Sequence, residues 1–250
     1  MSYEQSAQKL WTERRTFQLR TARRNWGEAE PSWGLWKVPE SELGVLGDVS
    51  GLDVVEVGCG TAYWSAWLAR LGARPVAVDV TPSQLEIAAR MQQEHGLDFP
   101  LVEANAEATG LPDASFDLAF SEYGASIWCD PHRWIPEAAR LLRPGGRLVY
   151  LCNSTIAMLC APQDEAPLTE AIHNDYFGMR RFDWPDGTTN FALGYGDQIR
   201  CLRDAGLELE TMHEPQPPAA ATTHAVYDYV TVEWARQWPS EEIWVARKAA

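Results

Sequence analysis

Between residues 51 and 96 short apolar runs alternate with amphipathic stretches. Val54, Val55 and Val57 are β-branched and surround one acid, Glu56, which predicts a short buried strand. Gly58-Cys59-Gly60-Thr61-Ala62 follows as a turn. Its glycines permit positive φ and let a ligand approach the backbone closely. Trp64, Trp67, Leu68 and Leu71 recur at i, i+3, i+4 and i+7, predicting a helix with one buried face that stops at Gly72. Pro75-Val76-Ala77-Val78 predicts a second buried strand ending on Asp79. Thr81 then reads as the N-cap of another helix, with Pro82 in its first position and Gln84 closing a capping box. Strand, helix, strand, helix is the opening half of a doubly wound parallel sheet.

The acids narrow the ligand. Asp79 follows the turn by about twenty residues, the spacing at which a second-strand carboxylate reaches a ribose diol. A dinucleotide turn carries a third glycine and faces a pyrophosphate. Here Ala62 holds that third position and Glu56 precedes the turn, where a carboxylate would repel phosphate. The combination suits a ligand with a cationic amino acid end and no phosphate, which describes S-adenosylmethionine.

Glu56-Val57-Gly58-Cys59-Gly60-Thr61-Ala62 resembles the first motif of the class I S-adenosylmethionine-dependent methyltransferases, E/D-x-G-x-G-x-G, with Ala62 for the last glycine. Asp79 matches that family's acid at the end of the second strand. Asn105-Ala106-Glu107 resembles the segment that reaches the adenine, with Asn105 where aspartate is commoner. Ala114 to Ser121 is similar to the fourth strand, entered through Ser115-Phe116-Asp117, and Leu141 to Tyr150 resembles the L-x-P-G-G turn into the fifth. The nearest likeness is to the UbiE-like, or type 11, small-molecule enzymes. The resemblance implies a Rossmann-like α/β fold: a doubly wound, seven-stranded sheet, mostly parallel with an antiparallel last strand. It also implies S-adenosylmethionine as cofactor and S-adenosylhomocysteine as product. The ligand contacts it implies are Glu56, Gly58, Cys59, Gly60, Thr61, Asp79, Val80, Gln84, Asn105, Ala106, Glu107 and Ser121.

The flanks are less regular. Ser6 to about Asn25 mixes helix formers with Arg14, Arg15, Arg20, Arg23 and Arg24, read as a solvated helix face pairing with acids elsewhere. Trp26 to Trp36 is broken by glycine and proline yet holds three tryptophans. It either covers the sheet edge or closes over the ligand. Glu40 to Leu46 reads as a short helix. Past the fifth strand, Pro167 to Asp175 is expected to be helical, and a hairpin is expected at Pro185-Asp186-Gly187. A helix from Gly196 stops at Gly206. A strand over Leu207 to Met212, a proline-rich loop, a helix over Val230 to Gln237 and a strand over Glu242 to Ala246 follow. The expected division is one methyltransferase domain over 1–250: a helical, Trp-rich lid at 1–50, a cofactor core at 51–152, an acceptor-pocket insertion at 153–196 and the end of the sheet at 197–250.

Composition sets the remaining bounds. The 250 residues suit one domain, with 46% hydrophobic and 22% charged residues. A formal charge of -14 disfavours nucleic acid as a partner. No apolar run approaches membrane-spanning length and the N-terminus lacks a signal core, so a cytoplasmic enzyme without membrane association is expected. Five widely spaced cysteines read as reduced thiols, with no metal-binding pattern. A small-molecule acceptor is the expected partner, and a homodimer is left open.

At the crevice end of the fourth strand stand Glu122 and Tyr123, the leading candidates for acceptor chemistry. Glu122 reads as a base or a loop acid; Tyr123 reads as a hydrogen-bonding group or pocket wall. His173, beside Tyr176, is the third catalytic candidate, ahead of His132 in a helix first turn. His213 and His224 are unranked. Gln84 serves either as cap or as adenine contact. The reaction expected is methyl transfer to O or N of a small aromatic or apolar metabolite. A different reaction on the same fold, or a protein acceptor, is the alternative.

Overall fold

The structure, a computed structural model, describes residues 2–249. It opens with α1 (Tyr3–Glu13), seated on a capping box between Ser2 and Gln5, and α2 (Arg15–Gly27). The helix-forming stretch read from Ser6 to about Asn25 is two helices that meet at Arg14. Gly27 ends α2, and the chain crosses to a two-residue antiparallel pair, β1 (Ser32–Trp33) with β2 (Val38–Pro39), before the one-turn α3 (Glu40–Leu43). Trp26, Trp33 and Trp36 are all buried. The basic run behaves largely as read: Arg15 pairs with Glu86 at 2.7 Å and Arg23 with Glu94 at 3.3 Å.

The core then alternates as the pattern predicts: β3 (Asp53–Val57), α4 (Tyr63–Arg70), β4 (Arg74–Asp79), α5 (Pro82–His95) and β5 (Leu101–Glu103). Next come β6 (Phe116–Glu122), the short α6 (Ala125–Trp128), α7 (Pro131–Leu141) and β7 (Leu142–Asn153). After α8 (Thr155–Leu159) comes the expected hairpin, β8 (Arg181–Asp183) with β9 (Thr189–Phe191). The chain finishes with α9 (Tyr195–Asp204), β10 (Leu207–His213), α10 (Val232–Ala235) and β11 (Glu241–Lys248).

The seven-stranded sheet has the order β10-β11-β7-β6-β3-β4-β5. β7, β6, β3, β4 and β5 are parallel, and β11 runs antiparallel to both β7 and β10. This is the Rossmann-like doubly wound fold with an antiparallel last strand. Both faces are covered, which is why the strands read as unbroken apolar runs. Val54, Leu118 and Phe120 pack with Trp33, Trp64 and Trp67, while Val55, Val57 and Ala119 pack with Trp134 and Ile135 of α7. Leu71, counted on the buried face of α4, lies just past its end and is 46% exposed. The strand order reverses between β3 and β6, so a crevice opens beyond their carboxyl ends, where ligands bind in such sheets.

One element is corrected. The helix expected over Pro167 to Asp175 does not form. The amides there bond outward: Leu168 N–H donates to Tyr229 O at 2.8 Å and His173 N–H to Leu159 O at 2.8 Å. The Asn174 side-chain amide donates to Met158 O and Ala161 O. Backbone donors satisfied by neighbours leave no reason to coil. Among the described residues no helix is long and apolar enough to cross a membrane.

Candidate active site

The turn after β3 is held by its own backbone. Gly58 and Cys59 N–H both donate to Val78 O at 2.9 Å, tying the turn to β4. Gly58 has φ +74° and Gly60 φ +53°. A Cβ on Gly58 would stand 2.4 Å from Ala125 N, whereas one on Gly60 would meet nothing nearer than Gln84 Oε1 at 3.9 Å. The first glycine is therefore required by close backbone packing on Gly124 and Ala125, and the second leaves open space. Asp79 closes the turn: Oδ2 accepts Gly60 N–H and Oδ1 accepts Thr81 N–H, each at 2.8 Å. Burial pushes its carboxyl above the ordinary range, against the pull of these amides. Burial likewise raises the Cys59 thiol.

A cavity of about 590 Å³ opens in front of this turn. Of the expected ligand contacts, Gly58, Cys59, Gly60, Thr61, Asp79, Val80, Gln84, Asn105 and Ala106 line it. The capping box drawn for Gln84 is absent, since the Thr81 side chain makes no cap bond. Instead Gln84 lines the cavity, and its Oε1 is buried with no partner among the described residues.

Three expected contacts lie elsewhere. Glu56 is 2% exposed and turns toward α4, accepting Ser65 N–H at 2.9 Å and the Ser65 hydroxyl. Burial pushes its carboxyl up to about 8. It braces the strand against the helix and does not line the cavity. Glu107 accepts Tyr3 Oη at 2.6 Å and Asp130 N–H at 2.9 Å, and pairs with Arg133 at 3.0 Å. Ser121 Oγ donates to Val57 O at 2.8 Å, joining β6 to β3.

The catalytic candidates divide in the same way. Glu122 and Tyr123 line the cavity. Glu122 Oε1 accepts Gly34 N–H at 3.1 Å and Oε2 accepts the Tyr63 hydroxyl, so both oxygens are engaged. Tyr123 has φ +50°. That conformation costs an L side chain about 1–2 kcal/mol and persists only where the surroundings impose it. His173 does not reach the cavity: it is exposed, with Nε2 2.7 Å from Thr169 Oγ1. His132 is exposed on α7. His224 does line the cavity, and burial lowers its pKa with help from Arg24 and Lys37.

The first helices supply the opposite wall. Tyr3, Leu10 and Trp11 of α1 and Gln18, Thr21 and Asn25 of α2 face the cavity. Trp26 Nε1 donates to Thr61 O at 2.9 Å, and Gln8 Nε2 to Val80 O at 2.6 Å. Of the basic run, Arg14 and Arg24 line the cavity alongside Lys37. The far end is formed by Asn153, Met158, Trp184 and Tyr229. Sequence reading passed over Tyr63, Asn153, Tyr229 and Glu241. Only Glu241 carried a local signal: two adjacent acids at the head of an apolar strand.

A doubly wound sheet with a ligand-sized cavity at its switch point, a glycine turn at one end and an acid at the second strand end define a nucleoside-binding enzyme domain. Residues 55–150 match the family described as "Methyltransferase domain". The chain is 33% identical to the malonyl-[acyl-carrier protein] O-methyltransferase of Serratia marcescens, over 48% of this chain and 44% of that protein. It is 33% identical to the demethylmenaquinone methyltransferase of Clavibacter sepedonicus, over 48% of each. The chain thus spans about half the length of the curated relatives it matches. Among solved structures, an S-adenosylmethionine-dependent methyltransferase from Mesorhizobium loti superposes with a TM-score of 0.66 at 25% identity, covering 83% of this chain and 96% of that one. Residues 55–150 are thus similar to the methyltransferase domain, and the family match together with the fold likeness supports S-adenosylmethionine as the cofactor of this site. The residues present fit that group: space is open before Gly60, and the buried, unpartnered Gln84 Oε1 lines the same cavity.

Proposed function

We propose that this protein transfers the methyl group of S-adenosylmethionine to an O or N atom of a small, aromatic or apolar metabolite. The observation that carries the reading is one continuous cavity that joins the glycine turn to an aromatic, tyrosine-bearing end. In this reading Gly58, Cys59, Gly60 and Thr61 receive the amino acid end, Asp79 the ribose, and Val80, Gln84, Asn105 and Ala106 the adenine. Glu56, Glu107 and Ser121 brace that frame from behind. Bound there, the cofactor supplies an electrophilic methyl carbon on a sulfonium. Residues 51–152 form the cofactor core, 1–50 the lid and 153–196 the acceptor wall, with 197–250 completing the sheet.

The chain's own contribution is alignment and exclusion of water. Trp11, Trp128 and Trp184 give the cavity weakly polar walls, which favour a step that disperses positive charge. Tyr123 binds the acceptor's hydroxyl or amine, and Glu122 holds Tyr63 and the Gly34 loop in place. The five free thiols and the acidic surface support a cytoplasmic enzyme acting on a small molecule rather than on nucleic acid.

The test has two stages. Calorimetric titration with S-adenosylhomocysteine should show one site per chain. Incubation with methyl-labelled S-adenosylmethionine and panels of phenols, carboxylic acids and amines should then yield labelled product and S-adenosylhomocysteine. Absence of binding sinks the reading. Binding without methyl transfer to any small acceptor favours another reaction on this site, and label retained on protein favours a protein acceptor.

A further inference from the structure

Behind the acceptor end of the cavity stands an acid that does not face it. Glu241 opens β11 and is 0% exposed. Its Oε1 accepts Leu35 N–H at 2.6 Å and the Tyr123 hydroxyl at 2.7 Å. Its Oε2 has no partner among the described residues. Tyr229 Oη lies 3.1 Å from Tyr123 Oη and donates to Asn153 Oδ1 at 3.1 Å. Tyr123, Tyr229 and Asn153 line the cavity; Glu241 does not, and it meets the cavity wall through the Tyr123 hydroxyl and the Leu35 amide. Since the two hydroxyl protons go to Glu241 and Asn153, the phenols present acceptor lone pairs to whatever enters.

The surroundings are built for this. A Cβ on Gly34 would fall 2.2 Å from Glu241 Oε1, so glycine there gives the carboxylate its room. Tyr123 is aimed at Glu241 from a left-handed backbone conformation. Glu122, the acid that does line the cavity, has both oxygens engaged by Gly34 and Tyr63.

We propose that Glu241 is the terminal proton acceptor of this site, taking the acceptor's O–H or N–H proton through the hydroxyl of Tyr123. The inference rests on reading the cavity as a methyl-transfer site. As the acceptor's lone pair forms the new bond to the methyl carbon, the C–S pair stays on sulfur. The acceptor's proton passes to Tyr123 Oη while the proton of Tyr123 passes to Glu241. The sulfonium charge and the carboxylate charge vanish together, which suits a buried site. Setting the carboxylate one phenol away also keeps a free nucleophilic oxygen from the methyl electrophile. Glu241 is thus a positioning and proton-accepting residue, and Tyr123 is the catalytic residue in contact with substrate.

The groups around Glu241 set its range. Lys37 on the β1–β2 connection favours its charge, Glu122 at the end of β6 opposes it, and Tyr123 and the Leu35 amide bond to it. Burial dominates and pushes the carboxyl up to about 7. A base with that pKa is poised for neutral pH.

Infrared difference spectra of the ligand-free protein test the assignment without turnover. Between pH 5 and 9, Glu241→Gln should remove one titrating carboxyl band and leave those of Glu56 and Glu242. With an acceptor from the panels above, Glu241→Gln should lower kcat by about a hundredfold and abolish the acid limb of the kcat/KM profile. Its S-adenosylhomocysteine affinity should stay within about threefold. Tyr123→Phe, which leaves the carboxylate in place, should lose the same limb, and the double variant should be no slower than either single one. An unchanged band pattern, or a wild-type rate and acid limb in either variant, overturns the proposal. Failure of the wild type to bind S-adenosylhomocysteine sinks the underlying reading instead.

Discussion

The two glycines of the β3–α4 turn should fail in opposite ways when each is given a methyl group. In Gly58→Ala the new Cβ would lie 2.4 Å from Ala125 N and 2.8 Å from Gly124 Cα, contacts with backbone that no rotamer relieves. The left-handed φ of +74° adds its own cost. Strain of about 1–2 kcal/mol and overpacking of about 1–3 kcal/mol sum to roughly 2–5 kcal/mol. In a chain of this size that lowers the unfolding temperature by roughly 4–20 °C. In Gly60→Ala the Cβ has 3.9 Å to its nearest neighbour, so only the left-handed cost applies, about 1–2 kcal/mol or roughly 2–8 °C. That methyl, however, would stand at the cavity wall where the ligand approaches. Its S-adenosylhomocysteine affinity should fall at least about tenfold, or 1.4 kcal/mol. Differential scanning calorimetry and isothermal titration read the two quantities separately. A folded Gly60→Ala protein with wild-type affinity would refute a ligand at this turn. A Gly58→Ala protein as stable as Gly60→Ala would refute the packing argument.

Three further outcomes follow from the same geometry. Asp79→Ala leaves the Gly60 and Thr81 amides without their acceptor, at about 1–3 kcal/mol each; thermal unfolding should drop by several degrees and cofactor affinity by about tenfold or more, and retention of wild-type affinity would count against the ribose role. Burial raises Glu56 to about 8 and Glu241 and Glu242 to about 7. These acids are raised above their unfolded values, so the folded state holds extra protons. Stability should therefore fall between about pH 5 and 8, by up to about 1.4 kcal/mol per unit for each group. His224, with a lowered pKa, acts weakly in the opposite sense. Urea midpoints should be lower at pH 8 than at pH 5.5, less so in Glu56→Gln; a higher midpoint at pH 8 contradicts the assignment. His173→Ala should leave S-adenosylhomocysteine affinity unchanged and stability within about 0.5 kcal/mol, checked by the same titration, and a loss of affinity would place that histidine nearer the site than its exposure indicates.

The part of the cavity around the glycine turn was legible in the sequence because it is local. Gly58, Gly60 and Asp79 are set by one strand–turn–helix–strand unit, and all reach the cavity. Glu56 went astray because strand alternation says which residues share a face, but not which face. It lies on the side of Val54, where Ser65 of α4 receives it. Gln84 was read both ways, and the cap was displaced because Asp79 had already taken the Thr81 amide. The helix expected over 167–175 was lost to distant acceptors that no local pattern records. The end of the cavity proposed for the acceptor was illegible for the same reason: Lys37, Tyr63, Asn153, Tyr229 and Glu241 converge from five separate segments. Glu241 reaches its place through one register choice, β11 pairing Glu241 opposite Asn153.

That register has a consequence for how the molecule is made. β11 is inserted between β7 and β10 and is translated after both. Until it emerges, the parallel half of the sheet ends on β7, whose Leu148 to Leu151 form an apolar edge with free amides and carbonyls. Such an edge pairs readily with other chains. A ribosome paused within the long stretch between β7 and β11 would therefore display the molecule at its most sticky. The strand that ends this exposure is the one that sets Glu241 beneath Tyr123, so covering the edge and placing that buried acid are one event.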